Sequence, residues 1–208
     1  MTTGSMFSRS VLCRIGFVRS TLLSPERWIS FGLALATICL IMPLPAVAQG
    51  AKPTEYQVKA AYLSNLGRFV ESWGPHSRPS ADEPFAICVL GQDPFGPSLD
   101  AAIRDENIEG APLVAKRITN TQDAQGCRVL FISSSEENRL SAVLAALGDS
   151  PVLTVADLPD FSRRGGMIQF VLDGNRVRFD ISVSVATKSG LTLSSELLKV
   201  ARVVRRGP

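Results

Sequence analysis

The chain has 208 residues, 45% of them hydrophobic, with 22 Lys and Arg against 19 Asp and Glu. Its formal net charge of +3 lies wholly in residues 1–48, which hold Arg9, Arg14, Arg19, Arg27 and Glu26; without them the balance is 18 basic to 18 acidic. A neutral remainder gives no electrostatic case for nucleic acid or anionic membrane as a partner, and about 160 residues suit one domain with a sizeable core.

Residues 1–48 read as an export signal. The four arginines precede an apolar run over residues 28–42, followed by Ala46-Val47-Ala48, with cleavage expected between Ala48 and Gln49. At about 14 residues the run is short for a membrane span, so an uncleaved anchor is the lesser alternative. Cys39 follows the bulky Ile38, which disfavours lipid attachment there. Translation starting at Met6 or later would also fit. The expected product is an exported, soluble domain over residues 49–208.

Residues 55–72 place Val58, Tyr62, Leu66, Phe69 and Val70 at helical spacing, and Trp73-Gly74-Pro75 stops the helix. A polar connection containing His76 leads to a strand at residues 85–90. A turn over residues 91–96 precedes a short helix capped by Ser98 and reaching about Arg104. Strands follow at residues 113–118 and from 127 or 128 to 132. Ser134 and Glu137 then have capping-box spacing before a helix over residues 136–147 that presents Leu140, Val143, Leu144 and Leu147. Gly148 ends it, and residues 152–156 form the next strand.

A hairpin pairs residues 167–172 with 176–182 around Asp173-Gly174-Asn175. Residues 183–189 form a short helix ended by Gly190. Ser194 or Ser195 caps the last helix, with Leu197, Leu198, Ala201 and Val204 at core spacing and Arg202, Arg205 and Arg206 toward its negative end. Strands separated by helices pair in parallel through right-handed crossovers. The expected fold is one layered α/β domain: a mixed, mostly parallel sheet, an antiparallel hairpin edge and flanking helices.

Little in this chain points to catalysis. His76 is the single histidine and sits in a proline-containing connection, where a solvated loop role outweighs one as base or ligand; no Gly-x-Ser-x-Gly elbow accompanies it. Neither Cys88 nor Cys127 has a Cys or His at metal-ligand spacing, and no cofactor fingerprint occurs. In an oxidising compartment two cysteines suggest one bridge, and Cys88–Cys127 would join neighbouring strands; two buried free thiols are the alternative.

Two loops are candidate anion or ligand sites: Ser133-Ser134-Ser135 at a strand end, and Gly165-Gly166 beside Arg163 and Arg164. Capping by the serines and a tight turn at the glycines are the simpler readings of each. Arg176, Arg178 and Asp180 alternate with Val177, Phe179 and Ile181, which puts the charges on one face as a solvated surface or a docking surface.

Residues 151–201, PVLTVADLPDFSRRGGMIQFVLDGNRVRFDISVSVATKSGLTLSSELLKVA, carry Gly-Gly-Met-Ile, Arg-Phe-acidic-Ile and Ser-Gly-Leu with Leu-Ser-Ser and Leu-Leu-Lys. With KAAYLSNLGRFVESW, FAICVLGQDPFG and CRVLFISSSE upstream, the chain resembles the YfiR family of small periplasmic proteins. The resemblance implies a non-enzymatic repressor that binds the periplasmic region of an inner-membrane diguanylate cyclase, lowering cyclic di-GMP and restraining biofilm. It also implies sequestration by an outer-membrane lipoprotein, tuning by redox state or small ligands, and self-association as a homodimer. Better-known relatives hold two disulfides, whereas Cys88 and Cys127 here allow one. A small-ligand module serving a sensor kinase or a transport system is the runner-up, and an exported enzyme the third reading.

Overall fold

A computed structural model of the chain describes residues 52–74 and 83–207. The expected leader, its cleavage between Ala48 and Gln49, and His76 lie outside the described residues.

The chain builds the expected layered α/β domain. In order, the elements are α1 (Glu55–Leu66), β1 (Val70–Trp73), β2 (Phe85–Leu90), α2 (Pro97–Ile103), β3 (Asn107–Ile108), β4 (Ala111–Ile118), β5 (Val129–Ile132), α3 (Leu140–Leu147), β6 (Leu153–Ala156), β7 (Ile168–Asp173), β8 (Arg176–Ser182), α4 (Val183–Lys188), β9 (Leu191–Leu193), α5 (Ser195–Val200) and β10 (Val203–Arg205). An eight-stranded sheet runs β10-β8-β7-β6-β5-β2-β4-β3, and β1 pairs with β9 in a separate two-stranded sheet. From β4 through β7 every pairing is parallel, and β7 and β8 form the antiparallel hairpin near one end of the sheet.

Every residue of β2, β5 and β6 is buried, as a parallel strand covered on both faces requires. Alternation divides β2 between two cores. Phe85, Ile87 and Val89 face a layer made by α1, α2, β1, β9 and the carboxyl-terminal helices, while Ala86, Cys88 and Leu90 face α3 through Leu140, Val143 and Leu147. The Cys88–Cys127 disulfide lies in this second core, with a Cα separation of 5.9 Å, and joins β2 to the chain two residues ahead of the neighbouring strand β5.

Several expectations need correction, the smallest being that α2 starts at Pro97 behind Gly96 and is not capped by Ser98. The first helix ends at Leu66 instead of continuing to residue 72; Gly67, just beyond it, lies so close to the Phe85 ring and Ile108 that a side chain there would overlap them. After one 3-10 turn, Val70–Trp73 pairs with Leu191–Leu193. Its buried stripe is also turned by one residue: Lys59, Ala60, Leu63 and Leu66 are covered, while Val58 is half-buried and Tyr62 is exposed.

At the middle strand end, Ser133 and not Ser134 is the cap, accepting from the Ser135 N–H at 3.4 Å. The next six residues form 3-10 turns, so α3 begins only at Leu140. The last helix, capped by Ser194, stops at Val200, and residues 203–205 add parallel strand β10 outside the hairpin. Arg202 is therefore not a helix-end cation; its backbone N–H donates to Phe179 O at 2.8 Å.

The bridge closes a loop with a sequence separation of 39, worth roughly 4 kcal/mol in the loop-entropy account. Reducing it should lower the melting temperature while the sheet survives by circular dichroism. An unchanged melting temperature under reductant would show that the bridge is not structural.

Candidate functional site

The amino end of α1 is set by a capping box: Thr54 N–H donates to Gln57 Oε1 at 2.7 Å and Gln57 N–H to Thr54 Oγ1 at 3.3 Å. One turn on, Lys59 is only 3% exposed. Its ammonium contacts Asp157 Oδ2 at 2.7 Å, pairs with Glu55, and lies 4.5 Å from the Tyr56 ring centroid. The Tyr56 hydroxyl donates to the same Asp157 oxygen at 3.1 Å. Asp157 follows β6, so this cluster clips α1 to the carboxyl end of a central strand. Burial by itself pulls the Lys59 ammonium down, but hydrogen bonds to Asp157 and Glu55 outweigh it, and Lys59 titrates above its ordinary value of 10.5. Burial first, then the Asp157 charge, push the Tyr56 phenol up as well.

With α1 held there, Tyr62 leans on the hairpin: its ring centroid is 6.0 Å from that of Phe170 and 5.6 Å from that of Phe179. The outer side of Tyr62 remains 37% exposed, and Leu172 across from it is 56% exposed. Together they line a groove of about 470 Å³ between α1 and the hairpin, shared with Val58, Arg176, Val177 and Arg178. Through Glu55 and Leu172 it continues into a smaller cleft beside Lys59 and Asp157. Among the described residues neither Arg176 nor Arg178 has an ion-pair partner within 4 Å. An apolar groove at the edge of a hairpin that also carries Arg176 and Arg178 suits a protein ligand with an apolar side chain near a carboxylate.

The sequence-selected residues separate into two groups. Arg163, Arg164, Gly165 and Gly166 lie in the turn at the base of the hairpin, whereas Arg176 and Arg178 lie toward its tip. Asp180, expected on the solvated face with them, is 3% exposed. Arg202 covers it with a two-point contact, Nε to Oδ1 at 2.8 Å and Nη2 to Oδ2 at 2.7 Å, which raises the Arg202 pKa. Arg164 reaches Glu137 at 3.4 Å and Arg163 reaches Asp160 at 3.7 Å, both at the surface.

Gly165 has φ 99°, and a Cβ on Gly166 would overlap the Phe161 ring, so a tight turn accounts for this pair of glycines. The serines are likewise used internally. Ser135 Oγ accepts from Gln92 N–H at 2.9 Å, and the buried Glu136 carboxylate stands beside it, paired with Arg139. A carboxylate at that strand end opposes an anion. No cluster of three His, Cys, Asp or Glu suited to a metal ion occurs among the described residues, and no helix there is long and apolar enough to cross a membrane.

Sequence reasoning missed the groove's main features. Tyr62 read as core, and Lys59, Asp157 and Leu172 drew no attention. One available signal was Lys59 itself, an ionisable residue flanked by Val58 and Ala60 on a helix whose capping box fixes its start.

A sequence model of the family described as YfiR/HmsC-like matches residues 56–202. Among solved structures, a conserved domain protein from Vibrio cholerae O1 biovar eltor is 11% identical, with 74% of this chain and 62% of that one covered and a TM-score of 0.49. An ABC domain in complex with L-Trp from Streptococcus pneumonia is 12% identical, with 72% and 60% covered and a TM-score of 0.47. The chain thus spans about three fifths of the length of each.

Gly166→Ala should cost about 1–3 kcal/mol through the overpacked Phe161 ring, measured by denaturant unfolding; a neutral substitution would remove the packing explanation. The raised Lys59 pKa has a definite sign. Its stabilisation is complete below 10.5 and is lost as pH climbs through the higher folded value. Lys59→Met should therefore lose about 3 kcal/mol near neutrality, by breaking a buried pair, and should flatten the decline of stability above pH 10.5. Tyr56→Phe separates the phenol's share of that decline.

Proposed function

Because this chain belongs to the YfiR/HmsC-like family of periplasmic regulators of diguanylate cyclase signalling, we propose that it represses an inner-membrane diguanylate cyclase by binding that enzyme's periplasmic region. Lower cyclic di-GMP and restrained biofilm would follow. In this reading residues 1–48 direct export and are removed after Ala48, and the folded domain acts by occupancy.

The observation that carries the reading is the groove between α1 and the hairpin. It presents Tyr62 and Leu172 to solvent beside Arg176 and Arg178, and aromatic and arginine side chains are the commonest binding hot spots. The clip between Lys59 and Asp157 holds one wall and the β7–β8 ladder the other, so the surface is formed before the partner arrives. Repression then requires preference for one cyclase conformation. Moving a receptor from almost all active to almost all inactive takes about 5.5 kcal/mol of differential affinity, within the reach of a few buried anchors.

The test is binding of the purified protein to the periplasmic domain of an inner-membrane diguanylate cyclase from the same organism, followed by calorimetry. Leu172→Glu should weaken binding by at least about tenfold, or 1.4 kcal/mol, with the melting temperature nearly unchanged. Arg178→Glu should weaken it further and reduce its salt dependence. Wild-type binding by these variants would move the contact to another face. No binding by the wild-type protein, together with a ligand-induced thermal shift, would favour a small-ligand module serving a sensor kinase or transport system.

A further inference from the structure

The turn after β6 and the chain beyond α5 converge on a second cleft, away from the hairpin tip. It has a volume of about 620 Å³, within the usual range for small-molecule sites. Arg163, Arg205 and Arg206 border it, and Val185, Val203 and Val204 supply apolar surface. No described lining residue is a carboxylate.

Several arginines outside the cleft are matched: Arg117 reaches Asp93 and Asp100, Arg68 reaches Glu106, and Arg202 takes up Asp180, whereas Arg176 and Arg178 near the hairpin tip have no ion pair among the described residues. Of the three guanidiniums here, Arg163 alone has an acidic neighbour, Asp160, at 3.7 Å with both side chains well exposed, a pairing worth little. Among the described residues Arg205 and Arg206 have no ion pair. Arg205 is instead aimed by hydroxyl chemistry. Its Nε donates to Ser162 Oγ at 3.4 Å, and Ser162, 4% exposed, is oriented by Gln169 Oε1, which accepts from both its N–H and its Oγ. Ser182 and Ser184 bring two more hydroxyls to the wall, 3.4 Å apart.

We propose that this cleft binds a small molecule bearing a doubly charged oxyanion, of the phosphate or sulfate class, with Arg163, Arg205 and Arg206 holding the oxyanion. Three guanidiniums against one loosely held carboxylate leave a local excess near +2, which a dianion neutralises and a single carboxylate does not. The valine surface accommodates an organic body, so an ester binds more tightly than the bare ion. The cleft is distinct from the α1–hairpin groove, and the inference does not depend on the cyclase reading.

The experiment is isothermal titration calorimetry of the purified protein with phenyl phosphate and, separately, with inorganic phosphate at low ionic strength. Saturable binding of one equivalent of phenyl phosphate is expected, several-fold tighter than inorganic phosphate. Arg205→Gln with Arg206→Gln should weaken it at least tenfold, and Arg163→Gln with Arg206→Gln, which spares the Arg205–Ser162 contact, serves should the first pair disturb folding. Arg176→Gln with Arg178→Gln should leave it unchanged. Equal affinity for the two phosphates, lost in the arginine variants, would still support the site and identify its ligand as the free ion. Absence of saturable binding by either compound, or binding that survives both arginine pairs, would overturn the proposal.

Discussion

The rest of this structure depends on the burial of the central strands on both faces. A strand with no solvent side must be covered twice, and the two covers differ in kind. One is a broad layer drawn from both ends of the domain; the other is chiefly α3, with Phe161 and the disulfide filling the gap beside it. Hydrophobic burial supplies the driving force, but it does not say where α1 should stop or how the hairpin should sit. Those details fall to a few polar contacts at the margins of the sheet.

Two of these contacts set the functional geometry. Lys59 with Asp157 ties a helix to a central strand, and Asp180 with Arg202 ties the tail to the hairpin. Each buries a charge that would be costly alone and is acceptable only with its partner in place. The first leaves Tyr62 against the hairpin aromatics with one side uncovered. The second removes a carboxylate from the surface near the tail arginines. Both grooves therefore owe their chemistry to ion pairs that lie outside them.

The fold was legible where patterns are local. Short apolar runs such as FAICVL and RVLFI, bounded by turn residues and separated by helical spacing, announce a mostly parallel sheet, and period two correctly puts Arg176 and Arg178 opposite Val177 and Phe179. Asp180 broke that alternation because its burial depends on Arg202, a residue that local spacing assigned to a helix. The length of α1 was overread for a similar reason. Phe69 and Val70 do continue its apolar spacing, yet strand β9, far along the chain, offers Val70 and Trp73 a better use. Of the candidate site, single residues were readable and their grouping was not, since the groove exists only once a helix and a distant hairpin are side by side.

The small sheet of β1 and β9 has a temporal consequence. It matches Val70 with Leu193, so the strand that follows the first helix finds its hydrogen-bonding mate among nearly the last residues of the domain. Such a distant closure is entropically slow. A polypeptide delivered amino end first would hold its opening strand with a bare edge until the final turns emerged, leaving an interval in which a chaperone or a stray strand could pair there instead.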